Sequence, residues 1–94
     1  MTAPASKTGR HAILAQFLAD GMTHMFGNPG TVEQGFLDAL SDYPDLKYIL
    51  TLQESVAVMA ADSYARAVKR PTLVQIHSTP GLGNAIGALY QAKR

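Results

Sequence analysis

The sequence predicts an α/β fold: a partial doubly wound parallel sheet with elements in the order α-β-α-β-α-β-α. Three observations predict it. Short apolar runs rich in β-branched and aromatic residues recur at similar spacing, at Met22–Phe26, Lys47–Thr51 and Thr72–His77. The stretches between and before them place apolar residues on one helical face. Turn chemistry punctuates the junctions, above all at Gly27-Asn28-Pro29-Gly30. Strands that alternate with helices run parallel and are joined by crossovers.

Residues 1–8 are small and polar with a proline and read as a flexible leader, and residues 9–94 as one incomplete α/β domain. Thr8 can cap a first helix running to about Asp20, with Ile13, Leu14, Phe17 and Leu18 on one face and Gly21 as its stop. After the first strand, Thr31-Val32-Glu33-Gln34 fits a capping box, with Thr31 as the cap and Gln34 reaching back. The helix it opens buries Val32, Phe36, Leu37 and Leu40. Beyond the second strand, a helix from Gln53 to about Val68 carries a narrow apolar stripe of mostly small residues (Ala57, Ala60, Ala61, Tyr64, Ala65 and Val68) that suits close packing and burial. The third strand is nearly continuous in apolar residues, as burial on both faces requires. Ser78–Gly83 reads as a loop, and a last helix starts near Asn84 and ends on Lys93-Arg94, the favourable charge for a helix C-terminus. Three strands leave an unpaired edge, and the last helix has little to cover.

Composition narrows the function classes. Of the 94 residues, 47% are hydrophobic and 16% charged, which suits a globular interior. A net charge of +1 speaks against electrostatic attachment to nucleic acid or membrane. With no cysteine, disulfides and thiolate metal sites are excluded, and no run reaches the length of a membrane span. A cytoplasmic location is the expectation. His11 and His24 lack metal-site spacing, and Gly81-x-Gly83-x-x-x-Gly87 is one residue too long for a dinucleotide fingerprint.

In an open parallel sheet, ligands bind beyond the carboxyl ends of the strands. Topology brings three segments there: Gly27–Thr31, Leu52–Ser55 and His77–Asn84. They hold the polar groups Asn28, Thr31, Glu54, His77, Ser78 and Asn84. Each also has a plain structural reading. Thr51-x-x-Glu54 is itself a capping box, and spacing alone favours that role for Glu54. Thr31 is most simply a cap, and His77 a hydrogen-bonded strand-end histidine.

Four motifs in order carry a resemblance: Phe26-Gly27-Asn28-Pro29-Gly30-Thr31, Leu52-Gln53-Glu54, Ala61-Asp62-Ser63-Tyr64-Ala65-Arg66, and His77-Ser78-x-Pro80-Gly81-x-Gly83-Asn84-Ala85. Together they resemble the pyrimidine-binding domain of the thiamine diphosphate-dependent superfamily, most of all its benzoylformate decarboxylase-like branch. The resemblance implies that Glu54 hydrogen-bonds the aminopyrimidine ring of thiamine diphosphate and activates it. It implies that Pro29, Gly30, Pro80, Gly81 and Asn84 lie against that ring, and that His77, with Thr31 and Ser78, meets a 2-oxo acid substrate. Acetolactate synthases share the Pro-Gly-x-x-Asn part but not the histidine, so His77 favours the decarboxylase branch over a carboligase. Thr31 stands where benzoylformate decarboxylase has serine, and Ser63 replaces a glycine. The resemblance further implies that Mg2+ and the diphosphate are held by a separate domain, with no metal ligand here, and that the active site forms in a homo-oligomer, a dimer or tetramer. On this reading the chain is a fragment, a truncated product or part of a split gene, and does not turn over substrate alone. A non-catalytic interaction module is the alternative from another class.

Overall fold

The computed structural model describes residues 8–94; the leader expected over residues 1–8 lies, apart from Thr8, outside them. Helix α1 (Gly9–Ala19) leads to strand β1 (His24–Gly27). A 3-10 turn (Thr31–Glu33) then runs into α2 (Gln34–Ala39) and a second 3-10 turn (Leu40–Asp42). Strand β2 (Lys47–Leu50), helix α3 (Glu54–Val68), strand β3 (Leu73–Gln75) and helix α4 (Ser78–Lys93) complete the chain. The α-β-α-β-α-β-α order holds.

All strands are parallel, in the order β2-β1-β3. Phe26 pairs in register with Ile49 on one side and Val74 on the other. Successive side chains of a strand point to opposite faces, and β1 uses both. Met25 joins Leu14, Ala39 and Leu46 in a core completed by Phe17, Leu18, Phe36, Leu40 and Tyr48, so α1 and α2 cover that face. Phe26 packs with Ala57, Ala61, Ala60 and Tyr64, so α3 covers the other. Helix α4 lies against α3. The buried residues at this level are small: Ala57 and Ala61 of α3, Gly81 and Ala85 of α4. Small side chains let two helices approach closely.

Burial on both faces, expected of the third strand, belongs instead to β1. Strand β3 is a three-residue edge strand, and Val74 is 36% exposed. A continuous apolar run marks burial only when neighbours flank the strand on both sides. Ile13, expected on the buried face of α1, is 48% exposed, and Val68 also stands outward. The expected burial of Val32 concerns a side chain outside the described residues.

Helix ends follow local chemistry. The N-cap of α1 is Thr8, but its hydroxyl lies 2.6 Å from His11 Nδ1 and caps no amide. Its C-terminus is a Schellman motif: Gly21, at φ +85°, donates to Leu18 O and Met22 donates to Phe17 O. The last helix starts six residues earlier than expected, at Ser78 instead of Asn84. Pro80 is tolerated because first-turn amides need no helical partner, and Gly81 N–H closes the turn onto His77 O at 2.8 Å. Helix α3 ends on Lys69 in the left-handed region, at φ 61°. That conformation costs a residue with a Cβ about 1 kcal/mol. Lys69→Gly is therefore expected to raise stability by about 0.5–1 kcal/mol, read as an increased urea midpoint at unchanged slope.

Candidate functional site

The three segments that topology assigns to the carboxyl ends of the strands are tied together. Thr51 donates through its amide and its hydroxyl to Gly27 O, at 2.8 and 3.0 Å, and Asn28 N–H reaches Gln75 O at 3.4 Å. Gly27 is buried between Tyr48 and Gln75. A Cβ there would stand 2.9 Å from Gln75 Oε1 and collide with the Tyr48 phenol. Across it, Tyr48 OH donates to Gln75 Oε1 at 2.5 Å. Burial, reinforced by the charge of Glu33, pushes the Tyr48 hydroxyl up to about 12.

Glu54 opens α3 and is 7% exposed, the buried charged residue of the described core. It does not form the capping box with Thr51. The cap is Gln53, whose side-chain oxygen accepts from Ser55 N–H at 2.6 Å and also from the Ser55 hydroxyl. With the helix end satisfied by its neighbour, the Glu54 carboxylate is released toward α4. Its Oε1 accepts from Asn84 Nδ2 at 3.1 Å, and its Oε2 lies 2.9 Å from where a Cβ on Gly81 would sit. Oε2 makes no hydrogen bond among the described residues. A carboxyl in the first turn also faces the positive end of the helix.

His77 does not meet Glu54 through a hydrogen bond; it pairs with Glu33. Its Nδ1 lies 3.0 and 3.1 Å from the two carboxylate oxygens, and its ring occupies the space a side chain on Gly30 would need. Glu33 also accepts from Gly30 N–H at 2.8 Å and Gln75 Nε2 at 3.0 Å. The Gly30 amide, ahead of His77 and Gln75 and against the opposing effect of burial, holds the Glu33 carboxyl below its ordinary range. This corrects the expected box: Gly30, not Thr31, is the cap, and Glu33, not Gln34, reaches back. The tight 3-10 turn shifts the relation by one residue.

The remaining expected residues flank these pairs in sequence. Pro29 is half-buried, while Thr31, Ser78 and Pro80 are exposed. Ser78 turns the chain from β3 into α4 at φ 47°, a left-handed conformation of the kind that concentrates at functional corners. His11 pairs with Asp42, and His24 lies 3.0 Å from Tyr64 OH; both stand apart from the site. Among the described residues no three His, Cys, Asp or Glu side chains group to hold a metal, and no helix is long and apolar enough to cross a membrane. Sequence reasoning missed Glu33, Gln75 and Gln53. The signal for Glu33 was its spacing of three from Gly30.

Three consequences are measurable by urea unfolding. Gly83 faces open space, so Gly83→Ala should gain up to about 1 kcal/mol of helix propensity. Gly81→Ala should instead lose about 1 kcal/mol, because crowding the buried Glu54 costs more than propensity returns. A lowered carboxyl contributes stability that is complete above the ordinary glutamate value of about 4.3 and is lost as pH falls through the native value. Glu33→Gln should therefore flatten the acid limb of stability against pH; parallel limbs would contradict the hydrogen-bonded carboxylate.

Known proteins match this chain in sequence and in fold. The family described as thiamine pyrophosphate enzyme, N-terminal TPP binding domain, matches residues 7–94. A Mycobacterium tuberculosis protein that carries the name of an acetolactate synthase large subunit is 43% identical over 86 residues, covering 92% of this chain and 17% of its own. Benzoylformate decarboxylase of Pseudomonas aeruginosa is 47% identical over 73 residues, 77% of this chain and 13% of its own. The crystal structure of benzoylformate decarboxylase from Polynucleobacter necessarius superposes with a TM-score of 0.80 at 36% identity, over 89% of this chain and 15% of that one. The chain thus spans less than a fifth of the length of these relatives. With a matching family over every described residue, a similar fold in a solved relative and relatives in two branches, this chain belongs to the thiamine pyrophosphate enzymes, to their N-terminal TPP-binding domain family.

Proposed function

We propose that this chain forms the aminopyrimidine-binding part of a 2-oxo acid decarboxylase of the benzoylformate decarboxylase type. The observation that carries the reading is Glu54. It is a buried carboxylate relieved of capping by Gln53, with one oxygen held by Asn84 and the other, beside a glycine, without a hydrogen bond among the described residues. That donor set fits an aminopyrimidine: a carboxyl group for a ring nitrogen, lying against Gly81, where a side chain would displace it. Bound thiamine diphosphate supplies an electron sink for the pair released when a 2-oxo acid loses carbon dioxide.

The chain's own residues do the rest. Glu54 shares a proton with the ring nitrogen, and low surrounding polarity strengthens that contact. Asn84 keeps the carboxyl aimed. Pro29, Gly30, Pro80 and Gly81 are the residues assigned to line the ring. His77 moves a proton at the substrate, and the exposed hydroxyls of Thr31 and Ser78 meet the 2-oxo acid. The diphosphate and Mg2+ are held outside these residues, and the active site is completed in a cytoplasmic homo-oligomer, a dimer or tetramer. Residues 1–94 alone are then inactive.

A carboligase of the acetolactate synthase type is the second reading, favoured by the similarity to the M. tuberculosis relative. Product analysis separates the two: an aldehyde with carbon dioxide for the first, a condensed 2-hydroxy-3-oxo acid for the second. For the first reading, Glu54→Gln in a holoenzyme carrying this domain should lower decarboxylation by about 100-fold or more, with diphosphate anchoring largely kept. Near-normal turnover in that variant would remove Glu54 from the mechanism.

A further inference from the structure

Glu33 is the charged group of the site that the reading above leaves unused. As a helix cap it needs only the Gly30 amide. It makes two further contacts that no cap requires, to Gln75 Nε2 at 3.0 Å and to His77 Nδ1 at 3.0 and 3.1 Å. Its carboxyl is held below the ordinary range, so it is ionised at neutral pH and only accepts. The proton it shares with His77 therefore sits on Nδ1. In the neutral imidazole the lone pair is then on Nε2. The His77 side chain is 31% exposed, and Nε2 makes no hydrogen bond among the described residues.

We propose that Glu33 is a positioning residue for His77, fixing the Nδ1–H tautomer and presenting Nε2 as the atom that moves a proton. The carboxylate is itself held on the side away from the histidine. Tyr48 OH donates to Gln75 Oε1, which leaves the Gln75 amide nitrogen to donate to Glu33. The imidazole lies where a Cβ on Gly30 would be, so the glycine makes the room in which the ring is oriented. Nε2 takes up one proton and returns one, Nδ1 keeps its own, and Glu33 stays a carboxylate throughout. What the proton serves rests on the decarboxylase reading; the tautomer does not.

The test labels histidine nitrogens in the 94-residue chain and reads long-range proton–nitrogen correlations near neutral pH. His77 is expected as the Nδ1–H form. Glu33→Ala should shift it to the Nε2–H form that an unconstrained imidazole prefers, and Glu33→Gln, which keeps an acceptor oxygen, should hold Nδ1–H. An Nε2–H form in the unmodified chain, or no change in Glu33→Ala, overturns the proposal. In a holoenzyme carrying this domain, Glu33→Ala should lower kcat about 10- to 100-fold without changing KM for thiamine diphosphate, and Glu33→Gln should recover most of it. Equal losses in kcat and cofactor affinity indicate a structural role and overturn it. Glu54→Gln in that holoenzyme separates the two readings: near-normal turnover with His77 still in the Nδ1–H form removes the thiamine reading while the positioning of His77 stands.

Discussion

The site depends on three places where another side chain occupies the volume of a missing Cβ. At Gly27 the space is taken by the Tyr48 phenol and the Gln75 amide, at Gly30 by the His77 imidazole, and at Gly81 by the Glu54 carboxyl. Each glycine lies on a segment at the carboxyl ends of the strands, and each lets a polar group from a different segment come close to backbone. Packed interiors have no slack to absorb an extra methyl group without displacement. The polar groups are therefore positioned by the backbone of neighbouring segments as much as by their own.

A second constraint is the division of labour at the start of α3. Helix N-termini demand acceptors for their free amides, and two acidic or amide side chains stand there in succession. Gln53 supplies the acceptor, so Glu54, one residue on, need not fold back. Its alternative partner comes from α4, which approaches closely because its contact residues are Gly81 and Ala85. Packing of small residues thus converts a residue that spacing would make a cap into a buried acid held through one oxygen by Asn84. Beneath both helices, β1 carries the load of two cores, Met25 toward α1 and α2 and Phe26 toward α3.

Most of the architecture was legible because the strand runs are short and evenly spaced, and the stop signals are glycines with mechanical work to do, such as Gly21. What was illegible depended on distance in space. The apolar content of Thr72–Ile76 could not say that its strand would be an edge, since that is settled by the order β2-β1-β3. Gly81 and Gly83 read as loop residues, yet they are helical because the turn is anchored at His77 O and tertiary packing outweighs propensity. Glu54, His77 and Asn84 stood out by type and position, but Glu33 did not, and neither did the pairings. Asn84 lies 30 residues from Glu54 and Glu33 lies 44 from His77, and no local pattern joins them.

The chain of donors Tyr48 to Gln75 to Glu33 has a polarity. A carboxamide rotated by half a turn would aim its oxygen at the Glu33 carboxylate and its nitrogen at the phenol, exchanging an attraction for a repulsion. Glu33 forbids that rotation, because a carboxylate only accepts, whereas the phenol could donate or accept. With the amide so directed, Tyr48 is left to donate to its oxygen, and burial keeps that proton in place up to about pH 12. The direction of a single side-chain amide on an edge strand is thus set by a carboxylate, and it fixes in turn the donor role of a hydroxyl on the opposite edge of the sheet.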